Sequence, residues 1–470
     1  MRRRAADPPT ARQPPSSAPP IGAGPARLGS RLVAAGGRYV LIWLSLAIFG
    51  AADHPLDAGD LAAVSLAAAV WLGALRAAFA AVPYAVGPGI PSLIGTTTGL
   101  VWVAALNAHV TGLELSPLAL IGAALGILVS ILVWECVLER TLTRRRVLVV
   151  GTAHVAEVAA AAQRGRRTAF EVLGTEPAAA ASHPGLDSLT EIVTVQRPDL
   201  IVLADDQRSS AALDRLLDIA DGRFRVAGLT SFYEYALGRV PLHEITPMWF
   251  MSLLHVRQRP YARWVKRAFD LVTAGLALVV AAPLLPLIAL AVSGTPGPII
   301  YRQVRVGDRG RRFVIYKFRT MVDCAERPGE AVWAKDADPR TTPIGAFLRR
   351  SHLDELPQLF NVLKGDMSIV GPRPERPEFI ASLEESIPFW SRRLLIKPGM
   401  TGWAQVHCGY ASDVAAMHEK LAYDFWYLRH RSLAVDLAIC VRTLRILADI
   451  LEPGRVVLRR LRAARHDAAP

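Results

Sequence analysis

Long apolar stretches dominate the first third of the chain. Four of them, each close to the roughly 20 residues that a helix needs to cross a bilayer, occupy 38–53, 58–82, 94–112 and 116–138. Arginines precede the first stretch and follow the fourth, whereas the loop between the first two stretches is acidic. Because cytoplasmic loops carry an excess of Arg and Lys, the pattern predicts a bundle of four transmembrane helices over 31–140 with both ends in the cytoplasm.

The pattern changes after residue 146, where short apolar runs alternate with helical segments. "RRVLVVGTAHVAEVAAAAQ" is typical of a strand, a glycine turn and a helix, and "PDLIVLADD" of a second buried strand. Such alternation predicts a Rossmann-like, doubly wound α/β domain over 146–250. Its first turn contains one glycine, Gly151, and lacks the GxGxxG pattern of dinucleotide sites. The domain is therefore a nucleotide-binding domain, or else a scaffold or homodimerisation domain that has the fold without the ligand.

A fifth apolar stretch, 271–292, carries no charge but has Pro283 and Pro286 at its centre. Proline removes a backbone donor and kinks a helix. Both flanks are rich in Arg and Lys, so a spanning helix would carry one basic cluster to the wrong side of the membrane. We therefore expect a re-entrant helix over 266–295, broken at Pro283, in preference to a plain span.

The end of the chain combines an amphipathic segment with a basic tail. "SLAVDLAICVRTLRILADIL" has apolar residues at helical spacing, so it is predicted to form a helix that lies on a membrane surface or packs in the core of a domain. Residues 453–470 form a basic tail. Residues 1–30, rich in Pro, Ala, Ser and Arg, are predicted to be a disordered basic tail.

Composition and charge narrow the class of protein. Hydrophobic residues make up 52% and charged residues 20%, and the net charge is +13. A basic excess fits nucleic acid, anionic lipid or phosphorylated substrates. The basic residues flank apolar segments and match no nucleic-acid-binding module, so we expect no nucleic-acid partner. The four cysteines lack CxxC or zinc spacing, which is typical of a reduced, cytoplasm-facing protein.

The candidate chemistry lies in "SHLDELPQLFNVLKGDMSIVGPRPERPEF", where Asp354 and Glu355 are adjacent. The structural alternative is that both acids occupy the first turn of a helix and favour its dipole. Arginine suits phosphate binding, however, and magnesium is typically held by one or two carboxylates plus substrate phosphates. The acids among cations therefore predict a magnesium ion and a diphosphate, with one carboxylate able to attack phosphorus. The surrounding cations are Lys317, Arg319, Arg349, Arg350, Lys364, Arg373 and Arg376.

Five stretches resemble the bacterial polyprenyl-phosphate glycosyl-1-phosphate transferases. They are "KRAFDLV", "YKFRTM", "LRRSHLDELPQLFNVLKGDMSIVGPRPE", "KPGMTGWAQV" and "KLAYDFWYLRHRSLAVDLAI". The segments upstream resemble those of the large monotopic members, which start exopolysaccharide synthesis. The resemblance implies an α+β catalytic domain over 260–452, anchored by the re-entrant helix and by amphipathic helices. It also implies a multi-pass protein of the bacterial inner membrane, with the catalytic domain on the cytoplasmic face.

The resemblance further implies a reaction and its participants. Members of this family transfer a sugar 1-phosphate from a UDP-sugar to a polyprenyl phosphate such as undecaprenyl phosphate, and UMP leaves; glucose or galactose is the usual sugar. By resemblance, Asp354 is the nucleophile, Glu355 helps to hold Mg²⁺ and Arg373 binds phosphate. Pro283 matches the break in the re-entrant helix. The other basic residues assigned to phosphate or nucleotide binding are Lys317, Arg319, Arg349 and Arg376.

Two other functions stay open at this point. Asp336 and Asp338 form a DxD motif, which would fit a glycosyltransferase that transfers a free sugar and releases a nucleoside diphosphate. A membrane sensor with a nucleotide-binding α/β domain is the non-enzyme alternative. It leaves the acids and arginines around residue 354 unexplained.

Overall fold

The computed structural model describes most of the chain. The described residues are 28–53, 55–109, 115–141, 145–150, 170–176, 193, 195, 197–203, 224–245, 247, 249–251, 260–323, 325, 338–408 and 414–451. The predicted tail 453–470 and most of the tail 1–30 lie outside them. Contacts divide the chain into two units, of which the first is Met1–Ala35 with Glu139–Ser231 and the second is Gly36–Leu138 with Phe232–Pro470.

Four long helices form the N-terminal bundle: α1 (Leu28–Asp53), α2 (Ala58–Ala81), α3 (Gly89–His109) and α4 (Pro117–Thr141). All four are long and apolar enough to cross a membrane, so the prediction of a four-helix membrane anchor is confirmed. Close packing of α2 against α3 depends on Gly99, where an added Cβ would lie 2.3 Å from the Trp71 ring. Arg38 and Glu135 join α1 to α4 through an ion pair of 2.7 Å. Small residues and one internal pair therefore hold the helices together.

The first unit contains a parallel sheet of four strands in the order β2-β1-β3-β4. The strands are β1 (Arg145–Val150), β2 (Phe170–Glu176), β3 (Leu200–Leu203) and β4 (Arg225–Gly228). All four residues of the internal strand β3 are buried, as expected for a parallel sheet covered on its faces. Gly151 and most residues between the strands lie outside the described part of the chain, so the doubly wound arrangement stays a prediction.

The segment between Ser231 and residue 250, which the sequence assigned to the α/β domain, falls in the second unit by its contacts, and the predicted boundary at residue 250 stays a prediction. The first unit ends at Ser231, and the residues that follow pack in the second unit. The indole of Trp426 donates to the Glu234 carbonyl, and that of Trp403 donates to the Gly238 carbonyl, both at 2.7 Å. Buried indole N–H groups need acceptors. These carbonyls supply them, which holds the segment after Ser231 against the C-terminal domain.

The C-terminal domain mixes helices with short strands, as an α+β domain does. Its helices are α5 (Pro260–Ala281), α6 (Leu284–Ser293), α7 (Pro343–Ser351), α8 (Gln358–Lys364), α9 (Pro377–Ser386), α10 (Trp403–His407), α11 (Val414–His430) and α12 (Leu433–Leu451). Its strands are β5 (Ile300–Val306), β6 (Arg312–Phe318), β7 (Ser368–Val370) and β8 (Gly399–Thr401). The first two form an antiparallel hairpin and the last two a parallel pair. Large buried side chains, among them Trp390, Trp403, Phe425 and Trp426, fill the core.

The apolar stretch predicted to break at Pro283 does so. Helices α5 and α6 meet at an angle of 63°, and Pro283 is the N-cap residue of α6. Proline lacks the N–H group that would continue the hydrogen-bond ladder of α5. Because this geometry fits either a broken span or a re-entrant hairpin, the re-entrant topology stays a prediction.

Helix α12 combines the two alternatives that its sequence left open. Val435, Ala438 and Ile439 of its first half are buried in the core of the domain. Leu444 of its second half is 65% exposed. The core-packing alternative therefore holds for the first half, while the second half presents apolar surface.

Candidate active site

Asp354 and Glu355 lie on a single 3₁₀ turn, Leu353–Glu355, between α7 and α8. The preceding residue, His352, ends α7 in the left-handed conformation with φ of 57°. Non-glycine residues adopt this conformation rarely, and they cluster at functional sites. The acids thus precede α8, which begins at Gln358, instead of occupying its first turn.

One carboxylate oxygen of Glu355 accepts hydrogen bonds from two cations. Lys317 Nζ donates to Glu355 Oε1 at 2.7 Å, and Arg373 Nη2 donates to the same oxygen at 2.8 Å. Burial alone would raise the pKa of Glu355, but Arg373 and Lys317 together outweigh burial and hold that pKa well below its usual range. Burial lowers the pKa of Lys317, and Glu355 offsets part of that shift. Glu355 is therefore ionised throughout the physiological pH range.

Asp354 has the opposite environment. It is only 7% exposed, and its carboxylate forms no hydrogen bond or ion pair with the described residues. Burial raises its pKa to about 6, which the charges of Lys317, Arg373 and Arg349 oppose and that of Glu355 supports. Two adjacent acids with separated pKa values are typical of groups with different chemical roles. Of the two acids, Asp354 is thus the one whose carboxylate has no hydrogen-bonding partner among the described residues.

The position of Lys317 depends on a buried amide. Asn361 on α8 accepts from the Tyr316 backbone N–H (3.1 Å) and donates to the Val314 carbonyl (2.7 Å), which ties α8 to β6. Arg267 of α5 caps the C-terminus of α8 by donating to two of its carbonyls at 2.7 Å. These bonds fix the register between the strand that carries Lys317 and the helix that follows the acids.

The position of Arg373 depends on a close approach between two backbones. Gly371 N–H donates to the Thr401 carbonyl at 2.9 Å, and an added Cβ at Gly371 would lie 2.4 Å from the Lys397 carbonyl oxygen. Only glycine fits there. Arg393 holds the next part of the loop by donating to the Arg373 carbonyl.

Sequence reasoning missed Arg393 and its partner Asp424. Both side chains are buried, and their charged atoms lie 3.4 Å apart. The Arg393 guanidinium also stacks over the Trp390 ring, 4.5 Å from its centroid. An available signal was Asp424 itself, an acid within the apolar run "YDFWYL". Such an acid requires a partner when it is buried.

Arg319 makes contacts that the sequence did not predict. Its guanidinium donates to the carbonyls of Pro298 (2.8 Å), Thr295 (2.8 Å) and Val292 (3.1 Å), and also to that of Pro296. These carbonyls lie at the end of α6 and just beyond it, where helices leave acceptors unsatisfied. Arg319 therefore stabilises the end of the broken helix with its guanidinium, and its assignment to phosphate binding stays a prediction.

The remaining predicted basic residues divide into two groups. The pKa of Asp354 is lowered by the charges of three of them, Lys317, Arg349 and Arg373. Arg349 is oriented by a hydrogen bond of 3.2 Å to Thr341. Arg376 contacts Glu378 at 3.4 Å and lies over Phe379. Its role in phosphate binding stays a prediction.

Asp354 and Glu355 are the residues that could hold a divalent cation. Within the described residues, no group of three or more His, Cys, Asp and Glu side chains forms a metal site. Two carboxylates agree with a magnesium ion that takes its other ligands from substrate phosphates and water. They do not fit a structural zinc site, which has four protein ligands.

Comparison with known proteins identifies the family of the C-terminal domain. The family model for bacterial sugar transferases matches residues 261–449. A Bacillus subtilis (strain 168) protein is 51% identical over 131 residues, which are 28% of this chain and 73% of that protein. The chain belongs to the bacterial sugar transferase family. The resemblance found in the sequence motifs is thus confirmed.

Two longer relatives of this bacterial sugar transferase carry names that specify a reaction. The UDP-N-acetylgalactosamine-undecaprenyl-phosphate N-acetylgalactosaminephosphotransferase of Aeromonas hydrophila is 40% identical over 213 residues, 45% of this chain and 49% of the relative. The UDP-glucose:undecaprenyl-phosphate glucose-1-phosphate transferase of Escherichia coli (strain K12) is 34% identical over 262 residues, 55% of this chain and 56% of the relative. The matches therefore span about half the length of these two relatives.

We expect Arg393→Met to destabilise this sugar transferase by about 3 kcal/mol, because it leaves Asp424 buried without its cation. Asp424→Asn in the same chain should recover part of the loss, since the amide carries no charge to desolvate. Denaturant unfolding of the detergent-solubilised protein measures both effects. The neighbouring exposed residue provides the control, and Arg392→Met should change stability by less than about 0.5 kcal/mol. Equal instability of the single and double variants would show that the pair is not what stabilises the loop.

Proposed function

We propose that this protein transfers a sugar 1-phosphate from a UDP-sugar to a polyprenyl phosphate and releases UMP, as the initiating step of exopolysaccharide or capsule synthesis. The observation that carries the proposal is the asymmetry of the two acids. Glu355 is ionised and bound to Lys317 and Arg373, while Asp354 is buried beside it with no partner among the described residues and a pKa raised to about 6. A buried, partner-free carboxylate among cations suits nucleophilic attack on a phosphate.

In the first step, an Asp354 carboxylate oxygen attacks the phosphorus that carries the sugar. The bond between that phosphorus and the bridging oxygen of the diphosphate breaks, and UMP leaves with the electron pair. An acyl phosphate on Asp354 results. Arg373 and Lys317 lie next to the acids, where they stabilise the negative charge that develops on the phosphate oxygens.

In the second step, a phosphate oxygen of the polyprenyl phosphate attacks the same phosphorus. The acyl phosphate bond breaks, Asp354 is regenerated and the lipid diphosphate sugar is released. One phosphoanhydride is exchanged for another through a high-energy adduct. Little free energy is therefore lost between the two steps.

Magnesium fits this site. Asp354 and Glu355 would hold it, and it would neutralise the diphosphate and polarise the phosphorus under attack. Both protein cations bind Oε1 of Glu355, so the other oxygen of that carboxylate is not engaged by Lys317 or Arg373. The two carboxylates and the two cations then divide the charge of the diphosphate between them.

The names of the relatives support the reaction and leave the sugar open. The Aeromonas hydrophila name specifies N-acetylgalactosamine and the Escherichia coli name specifies glucose, whereas the family resemblance pointed to glucose or galactose. Membranes that contain the protein, undecaprenyl phosphate and a panel of UDP-sugars decide the point. The readouts are UMP and the mass of the lipid product, and UDP release in place of UMP would contradict the proposal.

The DxD alternative has less support. Asp336 lies outside the described residues. Asp338 is buried and bound to Arg340, which approaches within 2.6 Å of its carboxylate. A DxD aspartate that holds a metal needs a free carboxylate oxygen, and Arg340 donates to both oxygens of Asp338.

The proposed membrane placement puts the catalytic domain on the cytoplasmic face of the bacterial inner membrane. Helices α5 and α6 would form the re-entrant hairpin and bring the acids to the level of the lipid phosphate. The exposed apolar residues of these two helices, among them Val272, Leu276, Val279, Val280, Leu287 and Leu290, fit contact with acyl chains.

The nucleophile can be tested by mass spectrometry of the intact protein. Incubation with UDP-sugar and magnesium, without lipid, should add one sugar phosphate to the peptide that contains Asp354. We expect Asp354→Asn to lose the adduct and turnover, because an amide is a poor nucleophile. Glu355→Gln should lose most activity through disturbed charge placement, with partial recovery at high magnesium. UMP release that depends strictly on lipid, with no adduct, would indicate direct attack by the lipid phosphate.

The rate of adduct formation should depend on the ionisation of Asp354. Because the pKa of Asp354 is raised from 3.8 to about 6, the reactive carboxylate is lost as pH falls through that value. Below it the rate should drop about tenfold per pH unit, and bound magnesium would move the midpoint lower.

A variant tests whether this fall in rate at low pH reports the titration of Asp354. Lys317→Met removes a charge that lowers the pKa of Asp354, so the midpoint of the fall should move to higher pH. Lys364→Met, at an exposed lysine of α8, should leave the midpoint unchanged. A midpoint that Lys317→Met does not move would assign the titration to another group.

The topology can be tested with cysteines introduced at exposed residues on either side of the broken helix. In a chain whose native cysteines are replaced by serine, Arg263→Cys and Arg311→Cys should both resist an impermeant maleimide until the cells are opened. Pro55→Cys, in the loop between α1 and α2, should be labelled in intact cells. Labelling at residue 311 but not at residue 263 would show that α5 and α6 together cross the membrane.

A further inference from the structure

A pocket lies at the tip of the β5–β6 hairpin. It has a volume of about 680 Å³, which falls in the range of small-molecule sites. The hairpin, helix α9 and the 3₁₀ turn Trp390–Leu395 surround it. Its described lining includes neither acid of the candidate active site nor Lys317 or Arg373.

Three exposed arginines point to an anionic ligand. Arg309, Arg312 and Arg392 line the pocket, and none of them forms a salt bridge with the described residues. Glu384 also lines it, and its carboxylate accepts a hydrogen bond from Ser391. The lining therefore keeps an excess of positive charge, presented by guanidinium groups that suit phosphate.

Most of the remaining lining is apolar. A bare phosphate would leave this surface without a contact. Val306, Pro377, Ile380, Leu394 and Leu395 form this part of the wall. A ligand that satisfies both parts carries a phosphate together with a flat or apolar body. Guanidinium groups stack on planar rings as well as binding phosphate, so a nucleoside phosphate satisfies both.

The backbone around the pocket supports a functional assignment. Arg309 lies in the left-handed region with φ of 54°. Phe389, with φ of 65°, begins the turn that carries Arg392. Non-glycine residues in this region cluster at ligand sites. Two such residues flank this pocket, and a third, His352, precedes the acids.

The position of the pocket favours a soluble ligand over a lipid headgroup. Strand β5 starts just after α6 and runs from Ile300 to Val306, so it carries the chain about 20 Å from the end of the broken helix. The pocket is thus separated from the end of the broken helix by the length of the strand, which favours a soluble ligand over a headgroup bound beside that helix.

We propose that this pocket is a second ligand site, separate from the acids, which binds a soluble nucleoside phosphate. The three arginines hold the phosphate and the apolar wall takes the nucleoside. The turn that carries Arg392 also carries Arg393, which holds the Arg373 carbonyl. A ligand in this pocket therefore contacts the segment that supports the active-site loop.

The test measures binding of radiolabelled uridine monophosphate to the full chain in phosphatidylcholine nanodiscs by equilibrium dialysis. An Arg373→Ala background weakens binding at the acids. We expect Arg309→Gln, Arg312→Gln and Arg392→Gln each to weaken binding about tenfold, because each removes a hydrogen bond to a charged group. Arg311→Gln is the matched control, since Arg311 is exposed on the same turn and does not line the pocket.

Each outcome decides the proposal. Binding that survives all three substitutions, or that falls equally with Arg311→Gln, would overturn it in favour of no site or of diffuse surface charge. Displacement of the nucleotide by phosphatidylglycerol in the nanodisc would overturn the soluble source. Inorganic phosphate should bind more weakly than the nucleotide, since it leaves the apolar wall unused. The assay involves no turnover, so it succeeds or fails independently of the proposed reaction.

Discussion

A single carboxylate oxygen that accepts from two cations organises the site. Lys317 and Arg373 both donate to Oε1 of Glu355, and the three residues come from β6, from the loop after β7 and from the turn before α8. The ion cluster therefore joins three segments that are distant in sequence. It also separates the pKa values of the two neighbouring acids, because Lys317 and Arg373 form their hydrogen bonds with Glu355 and not with Asp354. Asp354 is left buried, with its pKa raised to about 6 and its carboxylate without a partner among the described residues.

The same strands connect this cluster to the broken helix. Lys266 of α5 donates to the Val370 carbonyl of β7 at 3.1 Å and to Asp436 of α12 at 2.6 Å. Tyr427 donates to the other oxygen of that carboxylate at 2.6 Å. Buried polar groups are costly unless each is paired, and here pairing links α5, α12 and the strand that leads to Arg373. On β6, Lys317 lies two residues before Arg319, which caps α6. The distance between the acids and the apolar helices is therefore fixed by short, rigid connections.

How far the sequence could predict this arrangement depends on the range of the interactions. The length of the apolar stretches predicted the four membrane helices, and the motifs identified the acids, Lys317 and Arg373. Both signals are local in the sequence. Arg319 was assigned to phosphate binding together with Lys317 from the motif "YKFRTM". Its guanidinium donates to carbonyls at the end of α6, a contact between distant segments that the motif does not encode. The packing of the segment after Ser231 and the pairing of Arg393 with Asp424 depend on tertiary contacts that local patterns do not encode.

The membrane bundle does more than anchor the C-terminal domain. Arg442 of α12 donates to the carbonyls of Ala85 (3.2 Å) and Val86 (2.9 Å), in the connection between α2 and α3. Its guanidinium also lies over the Trp403 ring, 4.6 Å from the centroid. Val86 is buried in the same core as Trp403, so this connection belongs to the fold of the C-terminal domain. If the helices on both sides of it cross the bilayer as proposed, the connection fixes the depth of that domain. The proposed reaction would require such a fixed depth, because the acids would have to meet a lipid phosphate at the membrane surface.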